Sequence, residues 1–147
     1  RDVAPSRGLG DVYKRQVINV DAFAPLFELP NVKIFSAQTF EGAEEYEKLA
    51  SKYDITDLSK SFKDFSYTAG AVENLDLIIC NDTSLAHLAG AMGKPCIILL
   101  PYQYNWRWHM DITHCDWYDS VKLFRLGKKE SWNELMQRVA ESLRAAR

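Results

Sequence analysis

The stretch LDLIICNDTSLAHLAGAMGKPCIILLP, residues 75 to 101, decides the fold. Residues 76 to 81 and 95 to 101 are almost entirely apolar and are predicted to be strands, and residues 83 to 93 between them are predicted to be a helix. Strands that are apolar along their whole length are typical of a parallel sheet covered on both faces. The stretch therefore predicts one strand, helix and strand unit of a parallel sheet.

The predicted helix carries almost no charge, whereas a surface helix normally has one apolar stripe and a charged opposite face. Helical spacing predicts a sheet-facing stripe of Leu85, Leu88, Ala89 and Met92. His87 then lies away from the stripe and is not a core histidine. The remaining small residues suit close approach by a ligand or by another protein layer, and close packing among neighbouring helices is the alternative explanation.

Helical and strand-like segments alternate from Val17 onward, which is the pattern of a layered α/β domain. Before the central unit we predict a helix over 21 to 29, a strand over 32 to 38, a helix over 42 to 53, a strand over 55 to 59 and a short helix capped by Asp64 or Ser66. Near the end, Ser131 and Glu134 form a capping box. The helix that follows has an apolar face of Trp132, Leu135, Met136, Val139, Ala140 and Leu143.

Size and composition limit the function classes. The 147 residues correspond to about one domain, and 47% hydrophobic content is enough for a core. A net charge of -2 gives no reason to expect binding to nucleic acid. Three cysteines without CxxC spacing predict reduced thiols and a cytoplasmic protein, and no run is long enough to span a membrane. Residues 1 to 16 lack periodicity, and we expect a leader outside the fold, either non-native or naturally disordered.

The turn Asp82-Thr83-Ser84 connects the first central strand to the helix. In open α/β sheets, ligands bind beyond the carboxyl ends of the strands, where helix amino termini present unpaired N–H groups. The Thr83 and Ser84 hydroxyls would add donors to the helix dipole, so the turn predicts a phosphate or diphosphate site. The simpler alternative is that Asp82 is an ordinary N-cap.

Several motifs in order resemble one family. These are Asp64-Phe65-x-x-Thr68-Ala69, the run from Asp82 to Leu88, the Gly93-x-Pro95 step, and the later pieces WRW, WY and LFR. From Val17 to about Leu143 the chain is similar to the carboxyl-terminal half of family 9 glycosyltransferases, the heptosyltransferase-like group, especially those attached to tetratricopeptide repeats. The resemblance implies a Rossmann-like domain over 17 to 147, one half of a GT-B fold, whose first strand is missing here.

The resemblance also implies a site. Asp82, Thr83, Ser84 and His87 would contact a nucleotide-sugar donor, with Thr83 and Ser84 nearest the phosphates and no metal required. Weaker donor-binding candidates are Gln38, Thr68, Trp106 and Arg107. The acceptor domain, with the carboxylate that would deprotonate the acceptor hydroxyl, is not in this chain, and we expect no turnover by the chain alone. Strands 32 to 38 and 76 to 81 are then expected to expose edges.

Two further readings stay open at this point. The aromatic segment that contains Trp106, Arg107 and Trp108 could stack on a nucleotide base or place a guanidinium on a phosphate, or it could be a loop packed over the sheet. His109, His114 and Cys115 do not follow a common zinc spacing, so we expect no metal site.

A different class of protein, a non-catalytic nucleotide-binding or scaffolding module attached to helical repeats, is the alternative to an enzyme.

Overall fold

The computed structural model describes residues 18–37, 49–103, 106–108, 113 and 115–146. They form an α/β fold, as predicted. The strands are β1 (Ile34–Ser36), β2 (Ile55–Asp57), β3 (Ile78–Asn81), β4 (Cys96–Leu100) and β5 (Val121–Arg125). The α-helices are α1 (Ala24–Phe27), α2 (Phe65–Asn74), α3 (Ser84–Ala91) and α4 (Trp132–Ala145), and short 3₁₀ helices cover Val20–Phe23, Ser59–Ser61 and Trp106–Trp108. The predicted leader and most of the predicted helix over 42 to 53 lie outside the described residues.

All described strand pairs are parallel. One sheet has the order β3-β4-β5, with Ile79 opposite Ile97 and Ile98 opposite Leu123. The other sheet pairs β1 with β2. Within the described ranges, β1 and β3 each pair with one strand, so each has a second edge without a strand partner.

Strand β4 is buried along its whole length, and its side chains divide the core into two layers. Cys96, Ile98 and Leu100 face the layer that contains α2 and α3. Ile97 and Leu99 face the layer that contains α1 and α4. Because helices cover both faces, both sets of alternate positions must be apolar, which explains the unbroken apolar run in the sequence.

Helix α3 packs on the core through a face that is shifted from the predicted stripe. Its buried residues are Ala86, Ala89 and Gly90, whereas Leu85, Leu88 and Met92 are only partly buried at the margin of the core. Ala89 is buried as predicted, but the larger residues of the predicted stripe lie at the margin of the buried face and not at its centre. Small side chains allow the helix backbone to approach its neighbours closely, and the larger ones fill the space at the sides.

The end of the domain follows its sequence closely. The Ser131 hydroxyl accepts from the backbone N–H of Glu134 at 3.3 Å, and the Glu134 carboxylate accepts from the backbone N–H of Ser131 at 2.7 Å. This confirms the predicted capping box. The apolar face of α4 buries Leu135, Met136, Val139 and Ala140.

Strand β5 was not predicted as a strand. Among the described helices, none is long and apolar enough to cross a membrane.

Candidate functional site

The amino terminus of α3 lies at the carboxyl end of β3. The first turn of α3, which starts at Thr83 and Ser84 and which we call the mouth of α3, is open to solvent. The N-cap is Thr83, which makes no side-chain capping bond, and its hydroxyl donates to the Asn81 carbonyl at 3.4 Å. Thr83 and Ser84 are exposed to solvent. As the first two residues of α3, Ser84 and Leu85 have backbone N–H groups with no acceptor inside the helix, and the N-cap side chain does not supply one. Asp82 does not cap the helix, so the simpler alternative explanation of this turn is wrong.

The Asp82 carboxylate instead contacts two basic side chains. Its Oδ2 lies 3.3 Å from Nη2 of Arg107, and its Oδ1 lies 3.7 Å from Nε2 of His87. Arg107 comes from the 3₁₀ helix after β4, so the fold joins residues 25 positions apart. The guanidinium of Arg107, one of the weaker donor-binding candidates, lies beside the mouth of α3 and keeps 38% of its side-chain surface exposed.

His87 is held on two sides while 40% of its side chain stays exposed. Its Nδ1 lies 3.2 Å from the Tyr118 hydroxyl, and its ring stacks on Trp108 at 5.6 Å between ring centroids. Trp108 is 1% exposed and belongs to the core. The prediction that His87 lies off the core is confirmed. Of the two readings of the aromatic segment, Trp108 follows the structural one, as part of the packing.

Tyr118 is the site residue that the sequence reasoning missed. Its ring packs directly against Gly90, one helical turn after His87, where an added Cβ would lie 2.4 Å from the ring. The available signal was a glycine at 90 in an otherwise regular helix, because a helical glycine lowers stability unless something needs the space. The prediction that α3 is covered on more than one side is confirmed by this contact.

Strand β3 carries an uncharged thiol, that of Cys80, just before the turn Asp82-Thr83-Ser84. Cys80 Sγ lies 3.9 Å from Cys96 Sγ on β4. The contact with the Cys96 thiol and burial raise the pKa of the Cys80 thiol. Because a thiol with a raised pKa stays protonated at neutral pH, Cys80 adds no negative charge next to this turn. All three cysteines, the third being Cys115, are free thiols.

The remaining predicted site residues are Thr68, Trp106 and Gln38. Thr68 is half-buried on α2, which packs against α3. Trp106 begins the 3₁₀ helix that carries Arg107. Gln38, His109 and His114 lie outside the described residues. Across the part of the chain that the structure describes, no group of three or more His, Cys, Asp or Glu side chains could hold a metal ion.

The fold and the site together define a Rossmann-like α/β domain with an open helix terminus at the ligand-binding edge of its sheet. A family model described as glycosyltransferase family 9 (heptosyltransferase) matches residues 28–142. The chain therefore belongs to glycosyltransferase family 9, whose activity is glycosyl transfer. Neither a curated protein nor a solved structure matched the chain.

The two N-caps, Thr83 and Ser131, give a matched stability prediction. Ser131→Ala removes a side chain that bonds the helix backbone and is expected to cost about 1 kcal/mol of unfolding free energy. Thr83→Ala removes no capping bond and is expected to cost less than about half of that. Urea unfolding of both variants checks this, and equal losses would show that Thr83 caps α3 after all.

Proposed function

We propose that this chain is the donor-binding, carboxyl-terminal half of a GT-B glycosyltransferase that moves a sugar from a nucleoside diphosphate to a hydroxyl acceptor. The donor's diphosphate is bound at the start of α3. The observation that carries the proposal is the uncapped, solvent-open first turn of α3 with Arg107 and His87 beside it. Membership of family 9 supports a nucleotide-sugar as the donor.

The arrangement suits a leaving group that gains negative charge. As the bond from sugar to phosphate breaks, charge accumulates on the departing diphosphate, and fixed donors stabilise it without reorganising. The backbone N–H groups of Ser84 and Leu85, the Thr83 and Ser84 hydroxyls and the helix dipole supply such donors. The Arg107 guanidinium adds a full positive charge. We propose that this set makes the reaction independent of a metal ion.

Asp82 has a role that does not require contact with phosphate. A carboxylate would repel a diphosphate, but both of its oxygens face basic side chains, Arg107 and His87. These contacts hold the two groups at the mouth of α3, and the Arg107 guanidinium offsets the carboxylate charge. Asp82 also keeps lone pairs that can accept hydrogen bonds from sugar hydroxyls, since an ionised carboxylate is an acceptor only.

We also propose that the chain alone binds donor without turnover, because the acceptor and the base that deprotonates it belong to a second domain of the same parent chain. A chain of about 150 residues forms one domain, whereas a GT-B enzyme binds its two substrates between two domains. Asp82, the carboxylate at the mouth, is held by Arg107 rather than directed to an acceptor. We also propose a cytoplasmic location, because the proposed enzyme uses a nucleotide-sugar as its substrate.

The engagement of Asp82 also favours a second candidate, a nucleotide-binding module without catalytic activity that is attached to helical repeats. Such a module would bind the same diphosphate at the same helix. Transfer of a radiolabelled sugar by the chain joined to its acceptor domain distinguishes the two, because only the enzyme releases free nucleoside diphosphate.

Calorimetry with ADP, GDP and UDP tests the binding proposal. We expect at least one of them to bind, and Thr83→Ala with Ser84→Ala to weaken it at least about tenfold, since a hydrogen bond to a charged group contributes about 1.5 kcal/mol or more. Ser131→Ala, at the start of α4, is the matched control and should leave the affinity unchanged. Equal affinities of the double variant and the original chain would rule out the phosphate role of this turn.

A further inference from the structure

Tyr118 makes a contact with His87 for which the proposed diphosphate site by itself gives no reason. The two residues are 31 positions apart, and the hydroxyl of Tyr118 lies 3.2 Å from Nδ1 of His87. The tyrosine reaches this position because residue 90 is glycine, and any larger residue there would collide with the tyrosine ring. The contact therefore depends on a specific close approach of the loop to the helix.

The imidazole is fixed in orientation as well as in position. Its ring stacks on the buried Trp108 with an interplanar angle of 23°, and the Tyr118 ring meets it edge-on at 6.0 Å between ring centroids. These contacts hold one face and one edge of the ring. The opposite edge, which carries Nε2, is turned toward Oδ1 of Asp82 at 3.7 Å.

The neighbours of the two ring nitrogens differ in what they can do. Asp82 next to Nε2 is an acceptor when ionised, so it favours a proton on Nε2. Tyr118 next to Nδ1 can donate its hydroxyl proton, which suits a bare Nδ1. In a neutral imidazole, the hydrogen bond made by one nitrogen sets the state of the other. Among the described residues, the charged groups that face His87 are Asp82 and, through the same carboxylate, Arg107.

We infer that Tyr118 is a positioning residue that fixes His87 in the tautomer with its proton on Nε2. Because Nε2 lies 3.7 Å from Asp82 Oδ1, beyond hydrogen-bond distance, the N–H of the neutral imidazole can donate to an oxygen of the donor's diphosphate at the start of α3. This inference rests on the proposed function for the identity of the ligand. The tautomer itself is a property of the chain without ligand.

The first experiment is nitrogen-15 NMR of the imidazole side chains, recorded without ligand at a pH where His87 is neutral. His87→Gln identifies the signals, because the chain has 3 histidines. We expect the proton of His87 on Nε2 in the original chain and a mixture of both tautomers in Tyr118→Phe, which removes only the hydroxyl. A proton on Nδ1 in the original chain, or an unchanged tautomer in Tyr118→Phe, would overturn the inference.

The second experiment measures the affinity for the nucleoside diphosphate that binds best among ADP, GDP and UDP. Tyr118→Phe is expected to weaken it about fivefold, which is the loss of roughly one neutral hydrogen bond. In a His87→Gln background the same change should matter less than about twofold, because an amide donor has no tautomer to select. Equal losses in both backgrounds would show that Tyr118 acts through packing alone.

The two proposals fail in different ways. If no nucleoside diphosphate binds the original chain, the proposed function is wrong, and the NMR result still decides whether Tyr118 sets the tautomer. If the tautomer does not respond to Tyr118→Phe but the Thr83 and Ser84 variants lose affinity, the inference is wrong and the proposed function stands.

Discussion

Trp108→Ala is expected to remove about 3–5 kcal/mol of the free energy of unfolding and most of the affinity for nucleoside diphosphate. The indole is 1% exposed in the core layer beneath α3, and it also supports the ring of His87. Its backbone carbonyl accepts from Arg125, which ties the 3₁₀ helix to β5. Because total stability is only about 5–15 kcal/mol, the loss should be plain in urea unfolding.

Met136→Ala is the control for this prediction. Met136 is fully buried on α4, in the other core layer, whereas Trp108 belongs to the layer that contains α3. The substitution is expected to cost about 2–5 kcal/mol and to leave the affinity of the folded chain unchanged when calorimetry is done at low temperature. If both variants lost affinity alike, binding would depend on general stability and not on the support that Trp108 gives to His87.

Gly90→Ala is expected to destabilise the chain by about 1–3 kcal/mol, since an added methyl group must displace a packed ring. The new Cβ would lie 2.4, 2.5 and 2.9 Å from three atoms of the Tyr118 ring. Displacing Tyr118 also removes its bond to His87, so the affinity for nucleoside diphosphate should fall together with stability. Thermal and urea unfolding with calorimetry measure both effects.

Gly70→Ala is the same substitution in α2, where nothing lies within 4 Å of an added Cβ. It is expected to stabilise the chain by about 0.5–1 kcal/mol, because alanine is the better helix former. In a Tyr118→Ala background the cost of Gly90→Ala should largely disappear, since the colliding ring is gone. A cost that persists there would mean that Gly90 is needed for the helix backbone and not for the approach of Tyr118.

Much of the fold could be predicted because local patterns determine it. The apolar run of β4 requires burial on both faces, and the Ser131 and Glu134 capping box forms from its own residues. The N-cap of α2 at Asp64, whose side chain accepts from the N–H of Ser66 at 2.8 Å, was predicted in the same way. Such features depend on neighbours in sequence, so the sequence shows them directly.

The features that could not be predicted depend on contacts between distant residues. The helical spacing of α3 indicates an apolar stripe that includes Ala89, but close approach also buries Ala86 and Gly90, which that stripe does not contain. Thr83 and Ser84 were predicted from their place after β3, and Arg107 was named only as a weaker candidate. The contacts of Arg107 with Asp82 and of Tyr118 with His87 join residues 25 and 31 positions apart. The conformation of the loops determines those contacts, and no periodic pattern in the sequence predicts that conformation.

Amide NMR tests the central claim most directly, because it observes the N–H groups that are proposed to bind the diphosphate. The chain, labelled with nitrogen-15, is titrated with ADP, GDP and UDP. The account predicts that the largest shifts fall on the backbone amides of Ser84 and Leu85, with none at the capped start of α4, from Trp132 to Glu134. Binding whose largest shifts lie away from the first turn of α3, or no binding of any of the three, would contradict it.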